Sequence, residues 1–241
     1  MIHTELKIGD LVAKIPIIQG GMSVGISLSG LASAVAEEGG IGVIGSAMIG
    51  MSESDIRSNG IEANLRALKK EIRKTREMTQ GIIGVNIMVA LTNYADMVKL
   101  SIEEGIDIIF CGAGLPLDLP KYLTNGSKTK LVPIVSSARA TKIICKKWLS
   151  KFNYLPDAVV VEGPKAGGHL GFKMEQINDP DFALEQIVPQ VIDAIKPFEK
   201  DHQKDIPVIA AGGVYSGKDI YKFLKNGGGR CADGDPFCCH P

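Results

Sequence analysis

The segment from Val159 to Phe172, VVVEGPKAGGHLGF, contains a single histidine whose neighbours are mostly glycines. His169 follows two adjacent glycines, Gly167 and Gly168, and Glu162 lies seven residues before it. A neutral imidazole can take a proton from carbon near pH 7, and a protonated one can hold an anionic substrate. The glycines leave room for a flat ring and its substrate to approach. The segment therefore predicts a catalytic His169; the alternative is a loop histidine that makes an ordinary structural hydrogen bond.

Pairs of glycines recur at the ends of several apolar runs in the chain. The pairs are Gly20 with Gly21, Gly112 with Gly114, Gly167 with Gly168, and Gly212 with Gly213. Glycine lets backbone approach a ligand closely because it has no side chain. Bare backbone at several strand ends therefore predicts a single ligand that lies across them.

Composition limits the classes of function. The chain has 241 residues, of which 45% are hydrophobic and 28 are glycine, and its 27 basic residues balance 27 acidic ones. A net charge of zero gives no basic field for nucleic acid or an anionic membrane. The N-terminus lacks the apolar core of a signal peptide, and the longest apolar run, GIIGVNIMVAL, is too short to span a bilayer. We expect a cytoplasmic enzyme with a small-molecule substrate and no nucleic-acid or membrane partner; a homo-oligomer remains open.

Short apolar runs alternate with segments of helical period along the chain. Runs bounded by glycine or proline predict buried parallel strands at 15–21, 40–45, 81–88, 106–114, 131–137, 157–163 and 206–213. The segments between them predict helices at 28–39, 61–78, 93–105, 138–152, 182–198 and 215–227.

Two α/β folds satisfy strand–helix units in series, namely an open doubly wound sheet and a closed (β/α)8 barrel. An open sheet usually carries a G-x-G-x-x-G loop after its first strand, but here QGGM follows it. Glycine pairs at many strand ends favour the barrel, with a ligand at its mouth. Seven strands are predicted rather than eight, so the fold class is a TIM barrel truncated after the seventh strand–helix unit.

Five motifs carry a family resemblance: IPIIQGGM, GGIGVIG, GVNIM, EGPKAGGHLG and PVIAAGGV. In this order and spacing they resemble the nitronate monooxygenase family, formerly called 2-nitropropane dioxygenases. They resemble equally its close relative, the FMN-dependent enoyl-acyl-carrier-protein reductase of the second type. The resemblance covers about residues 10 to 226. It implies a TIM barrel that holds FMN at its mouth, in agreement with the strand-end pattern.

The resemblance also implies roles for individual residues. His169 corresponds to the histidine beside the reactive face of the flavin. Gly167 and Gly168 would place backbone N–H groups and open space against FMN. Asn86 corresponds to the flavin-contacting asparagine, and its amide can both donate and accept hydrogen bonds. The alternative for Asn86 is a strand-end side chain that pairs with loose backbone groups.

Two further segments match cofactor-binding positions of the family. Gly20, Gly21 and Met22 correspond to the segment that passes close to the isoalloxazine, although Met22 by itself is more typical of a core residue. Gly212 and Gly213 end the seventh predicted strand and correspond to glycines that contact the FMN phosphate. Backbone N–H groups would do most of the holding there.

Glu162, also assigned to the cofactor site, bears on the choice of reaction. Nitronate monooxygenases often have glutamine at this position, whereas the reductase branch tends toward glutamate. The first hypothesis is an FMN-dependent oxidation of alkyl nitronates by molecular oxygen. The alternative is an NAD(P)H-dependent flavin reductase of enoyl thioesters or quinones. A third is a flavin-free, inactive truncated product.

The last residues predict a different origin from the rest of the chain. Cys231, Cys238, Cys239 and His240 have poor spacing for a tetrahedral metal site, so no metal is expected. One permitted back-translation of residues 228–241, read one nucleotide later, encodes ADGVQMGTRFVAT, which resembles the family's eighth strand and its phosphate loop. We therefore interpret 1–226 as an incomplete FMN-binding barrel and 227–241 as an out-of-frame tail.

Overall fold

A computed structural model of the chain describes residues 5–226. The predicted tail, 227–241, lies outside the described residues. The division at residue 226 and the shift in reading frame therefore stay predictions.

The described chain is built from a small hairpin and one curled parallel sheet. The strands are β1 (Leu6–Ile8), β2 (Leu11–Ala13), β3 (Ile41–Gly45), β4 (Ile82–Met88), β5 (Ile108–Gly112), β6 (Lys130–Val135), β7 (Val159–Glu162) and β8 (Val208–Ala211). Strands β3 to β8 pair in chain order, all of them parallel. This arrangement confirms the predicted fold class, an incomplete (β/α)8 barrel.

Helices connect and cover these strands. They are α1 (Ser29–Glu37), α2 (Gly60–Met78), α3 (Tyr94–Glu103), α4 (Ala138–Phe152), α5 (Leu184–His202) and α6 (Gly217–Asn226). Each falls in a segment whose helical period predicted it, with ends displaced by a few residues. Among the described residues, no helix combines the length and hydropathy that a membrane span needs.

The sheet separates two apolar cores. The larger one lies between the sheet and its helices and includes the fully buried Trp148 of α4. The smaller one fills the inner face with residues from β3 and β5 to β8, and with Leu6, Ile8 and Ala13 of the hairpin. Side chains alternate between the faces of a strand. Asn86 on β4 and Glu162 on β7 are therefore polar members of the inward series that end at the carboxyl edge.

The first predicted strand, 15–21, forms a single parallel bridge between Ile18 and Ile41 instead of a strand. The physical reason is the side chain of Gln19. Its Oε1 accepts from the N–H of Val43 and its Nε2 donates to the carbonyl oxygen of Val43, both at 3.1 Å. The side-chain amide thus takes the hydrogen bonds with Val43 that the backbone of a continuing strand would make. The main chain therefore turns away from β3 toward Gly20.

The β1–β2 hairpin is an element that the sequence reading missed. Leu6 pairs with Ala13 across a turn at Gly9 and Asp10, and Lys130 of β6 forms an ion pair with Asp10. The alternation of apolar and charged residues around a Gly-Asp pair was the available signal. The hairpin closes the inner core at the end away from the carboxyl edge of the sheet.

Candidate active site

The Gly20–Met22 segment packs directly on the carboxyl ends of β3 and β4. The Nδ2 of Asn86 donates to the carbonyl oxygen of Gly21 at 3.2 Å. A Cβ at Gly21 would lie 2.4 Å from the Cβ of Asn86, and a Cβ at Gly45 would lie 2.4 Å from the carbonyl oxygen of Met22. Only glycine allows these approaches, so the four predicted residues Gly20, Gly21, Met22 and Asn86 form one contiguous group.

Two buried side chains hold this segment in place, and the sequence reading found neither role. Ser27 accepts from the N–H of Met22 at 2.9 Å and donates to the carbonyl oxygen of Gly20 at 3.0 Å. Gln19 donates to the Ser27 hydroxyl at 2.8 Å. Both side chains are buried, where an unpaired polar group would be costly. A glutamine inside an apolar run was the signal for such a network.

A second group of predicted residues lies at the ends of β7 and β8. Gly212 and Gly213 have φ values of +93° and +78°, which glycine adopts readily. A Cβ at Gly212 would lie 2.7 Å from the Cβ of Ala166, and one at Gly213 would lie 3.0 Å from the Cβ of Lys165. The loop after β8 therefore packs against the backbone that leads into Gly167.

The Gly167–His169 segment is open. A Cβ at Gly167 or Gly168 would have no heavy atom within 4 Å, and Gly168 has a φ of +83°. His169 is exposed, so its ring can meet a ligand. Both interpretations of His169, the catalytic group and the loop histidine with a structural hydrogen bond, stay predictions.

Glu162 ends β7 on the inner face, in register with Ala211 of β8. It is half-buried, and burial raises the pKa of its carboxyl from the ordinary 4.5 to about 7. The cause is desolvation, which disfavours the charged form of the carboxyl. The carboxyl can therefore hold or release a proton near neutral pH, which is the property required of a general acid or base.

The two groups share one edge of the sheet because every strand from β3 to β8 runs in the same direction. Barrel enzymes place their chemistry at this edge. Contacts unite the first group through Asn86 and the second through Gly212 and Ala166. No hydrogen bond between the described residues joins His169 to either group. The roles assigned to the individual residues stay predictions.

Comparison with known proteins shows the family. The family model described as nitronate monooxygenase matches residues 5–232. The chain belongs to this family. Named relatives in this family are enzymes of the oxidoreductase class.

Relatives with assigned names are distant. The chain is 26% identical over 222 residues to the (3aS,4S,5R,7aS)-5-hydroxy-7a-methyl-1-oxo-octahydro-1H-indene-4-carboxyl-CoA dehydrogenase of Rhodococcus jostii, covering 92% of this chain and 51% of the relative. It is 24% identical to a probable nitronate monooxygenase of Staphylococcus aureus, covering 85% and 59%. The chain thus spans about half the length of these curated relatives.

Solved structures agree on the fold. FabK from Thermotoga maritima superposes with a TM-score of 0.66 at 27% identity, covering 93% of this chain and 57% of FabK. Nitroalkane oxidase from Streptomyces ansochromogenes gives a TM-score of 0.64 at 22% identity, covering 88% and 62%. The second likeness shows the fold alone.

Proposed function

We propose that the carboxyl edge of this sheet binds FMN and oxidises alkyl nitronates with molecular oxygen. The observation that carries the proposal is a single juxtaposition. The half-buried Glu162 at the end of β7 is in register with Ala211, which Gly212 and Gly213 follow directly at the end of β8, and the loop after Glu162 continues into open backbone at Gly167 and Gly168. Membership of the nitronate monooxygenase family supports the same assignment.

The residues present fit FMN. Gly167 and Gly168 leave the space that a flat ring needs. Gly212 and Gly213 offer backbone N–H groups without side chains, which suit a phosphate. Asn86 donates one amide hydrogen to the neighbouring loop and retains a second hydrogen and a carbonyl oxygen for the ring edge.

When bound, FMN supplies the electron acceptor for the substrate and the route by which electrons reach oxygen. The chain's own residues bind and orient the substrate. The exposed imidazole of His169 can hold the anionic nitronate when protonated, or take a proton from carbon when neutral. Glu162 is in its neutral form below about pH 7, where it can donate a hydrogen bond without repelling an anion.

Two observations favour the reductase alternative as a second candidate. Glu162 occupies the position where, according to the family resemblance, the reductase branch tends toward glutamate. The curated relatives include a dehydrogenase whose name specifies a carboxyl-CoA substrate, which is a thioester class. Under this alternative NAD(P)H would supply electrons and an enoyl thioester or quinone would receive them.

One experiment separates these functions. Purified protein is examined for flavin absorbance, and then oxygen uptake on propyl nitronate is compared with NAD(P)H oxidation on a crotonyl thioester. We expect bound flavin and nitronate-dependent oxygen uptake. Thioester-dependent NAD(P)H oxidation without nitronate oxidation would replace the first proposal by the second. A protein that takes up no flavin when FMN is added would refute both.

A further inference from the structure

Two loops at the carboxyl edge expose large apolar side chains in segments that contain no charged residue. The segments run over 20–27 and 46–51, and neither includes Asp, Glu, Lys, Arg or His. The second segment is the first part of the loop 46–59 between β3 and α2, in which Glu53, Asp55 and Arg57 follow. Four side chains in them are about half exposed: Val24 (54%), Ile26 (62%), Met48 (49%) and Met51 (49%). Single exposed apolar residues are ordinary, but a group of them on adjoining loops is typical of a binding site.

The two loops are joined and hold unusual backbone conformations. The N–H of Val24 donates to the carbonyl oxygen of Ala47 at 3.0 Å. Val24 has a φ of 61° and Met48 a φ of 55°. A β-branched residue in this left-handed region is a genuine outlier, and such strain concentrates at ligand sites. The chain keeps valine where glycine would be relaxed, which indicates a use for the side chain.

This surface adjoins the candidate active site. Val24 lies two residues after Met22, whose carbonyl oxygen packs against Gly45. The preceding residue, Gly21, accepts the hydrogen bond from Asn86. Val24 and Ile26 of the apolar surface therefore belong to the same loop as Gly20, Gly21 and Met22.

We propose that Val24, Ile26, Met48 and Met51 form an apolar subsite that holds the hydrocarbon part of the substrate. The inference rests on the proposed function in one respect, that the substrate reacts at this edge. The surface continues the loop whose Gly21 accepts the hydrogen bond of Asn86, so its position beside the candidate active site favours the hydrocarbon part of a substrate over a separate protein partner. The preferred substrates therefore carry an extended alkyl or alicyclic group, and the smallest nitronates bind weakly.

The test measures binding and requires no turnover. Isothermal titration calorimetry of the purified full chain compares sodium butanoate, hexanoate and octanoate, whose carboxylate stands in for the anionic end of the substrate. We expect affinity to rise about two- to fourfold per added methylene, as burial of each group predicts. The double variant Ile26→Ser, Met48→Ser should abolish this dependence. Ile143→Ser, which alters an exposed apolar residue of α4, is the matched control and should retain it.

A second variant tests the strained valine. Val24→Gly should weaken octanoate binding several-fold while leaving the thermal midpoint unchanged or raised, because glycine accepts the left-handed conformation. The subsite would be overturned if the affinity did not depend on the number of methylenes in the alkanoate. It would also be overturned if the double variant showed the same rise in affinity per methylene as its parent. So would a dimer that the double variant dissociates without altering alkanoate binding. A chain that binds octanoate as expected but oxidises no nitronate refutes the proposed function and leaves the subsite standing.

Discussion

The carboxyl of Glu162 gives a prediction that depends on the structure more than on any assigned activity. Glu162→Gln preserves the shape of the side chain and removes its ionisation. The carboxyl is half-buried, and burial raises its pKa to about 7. Ionising the carboxyl therefore requires more free energy in the folded chain than in the unfolded chain.

The sign and size of the change in the free energy of unfolding with pH follow from proton linkage. Between pH 4.5 and about 7 the folded chain binds more protons at this group than the unfolded chain, so the free energy of unfolding falls as pH rises. Above about pH 7 the destabilisation caused by the ionised Glu162 no longer changes with pH. A tenfold difference in proton affinity corresponds to about 1.4 kcal/mol. The difference between the ordinary pKa of 4.5 and the raised pKa of about 7 therefore lowers the free energy of unfolding by up to about 3 kcal/mol. Glu162→Gln should match its parent near pH 4.5 and exceed it in stability by this amount at pH 8.

Urea unfolding followed by circular dichroism at pH 4.5, 6 and 8 measures the difference. The control is Glu175→Gln, which removes an exposed carboxylate from the loop after β7 and should give a nearly constant difference across the three values. Parallel unfolding free energies for the parent and Glu162→Gln from pH 4.5 to 8 would refute the reasoning, because they would show that the carboxyl is fully hydrated.

Four further substitutions test the site and the fold. His169→Ala should keep bound FMN and lose turnover by about 10²–10⁴, the usual scale for an acid–base group; parental turnover would speak against a catalytic role. Asn86→Ala removes the amide that holds the neighbouring loop, so FMN retention should fall more than turnover on the FMN that remains; an unchanged affinity by fluorescence titration would leave Asn86 a structural residue. Gly42→Ala should destabilise the chain by about 3 kcal/mol, because its Cβ would lie 1.8 Å from the carbonyl oxygen of Ala32, whereas Gly30→Ala in α1 meets no atom within 4 Å and should stabilise it by about 0.5–1 kcal/mol. Equal thermal midpoints for these two variants would contradict the packing.

Local pattern determined the order of elements and the edge that carries the candidate site. Buried parallel strands are apolar on both faces, and helices repeat their apolar residues about every 3.6 positions. These signals need no knowledge of distant contacts. For that reason α2 and α4 begin and end within one residue of their predictions. Glycines at strand ends likewise marked the positions where backbone approaches backbone, as at Gly21 and Gly212.

Tertiary structure decided what depends on partners far apart in sequence. Gln19 replaces a strand rung only because Val43 lies beside it, so the first predicted strand shortens to one bridge. The β1–β2 hairpin is held by an inner core that forms only when the sheet curls around it. The pKa of Glu162 rises through burial, and burial is a property of the assembled sheet. Sequence supplied the groups; their desolvation and their neighbours arise only from packing.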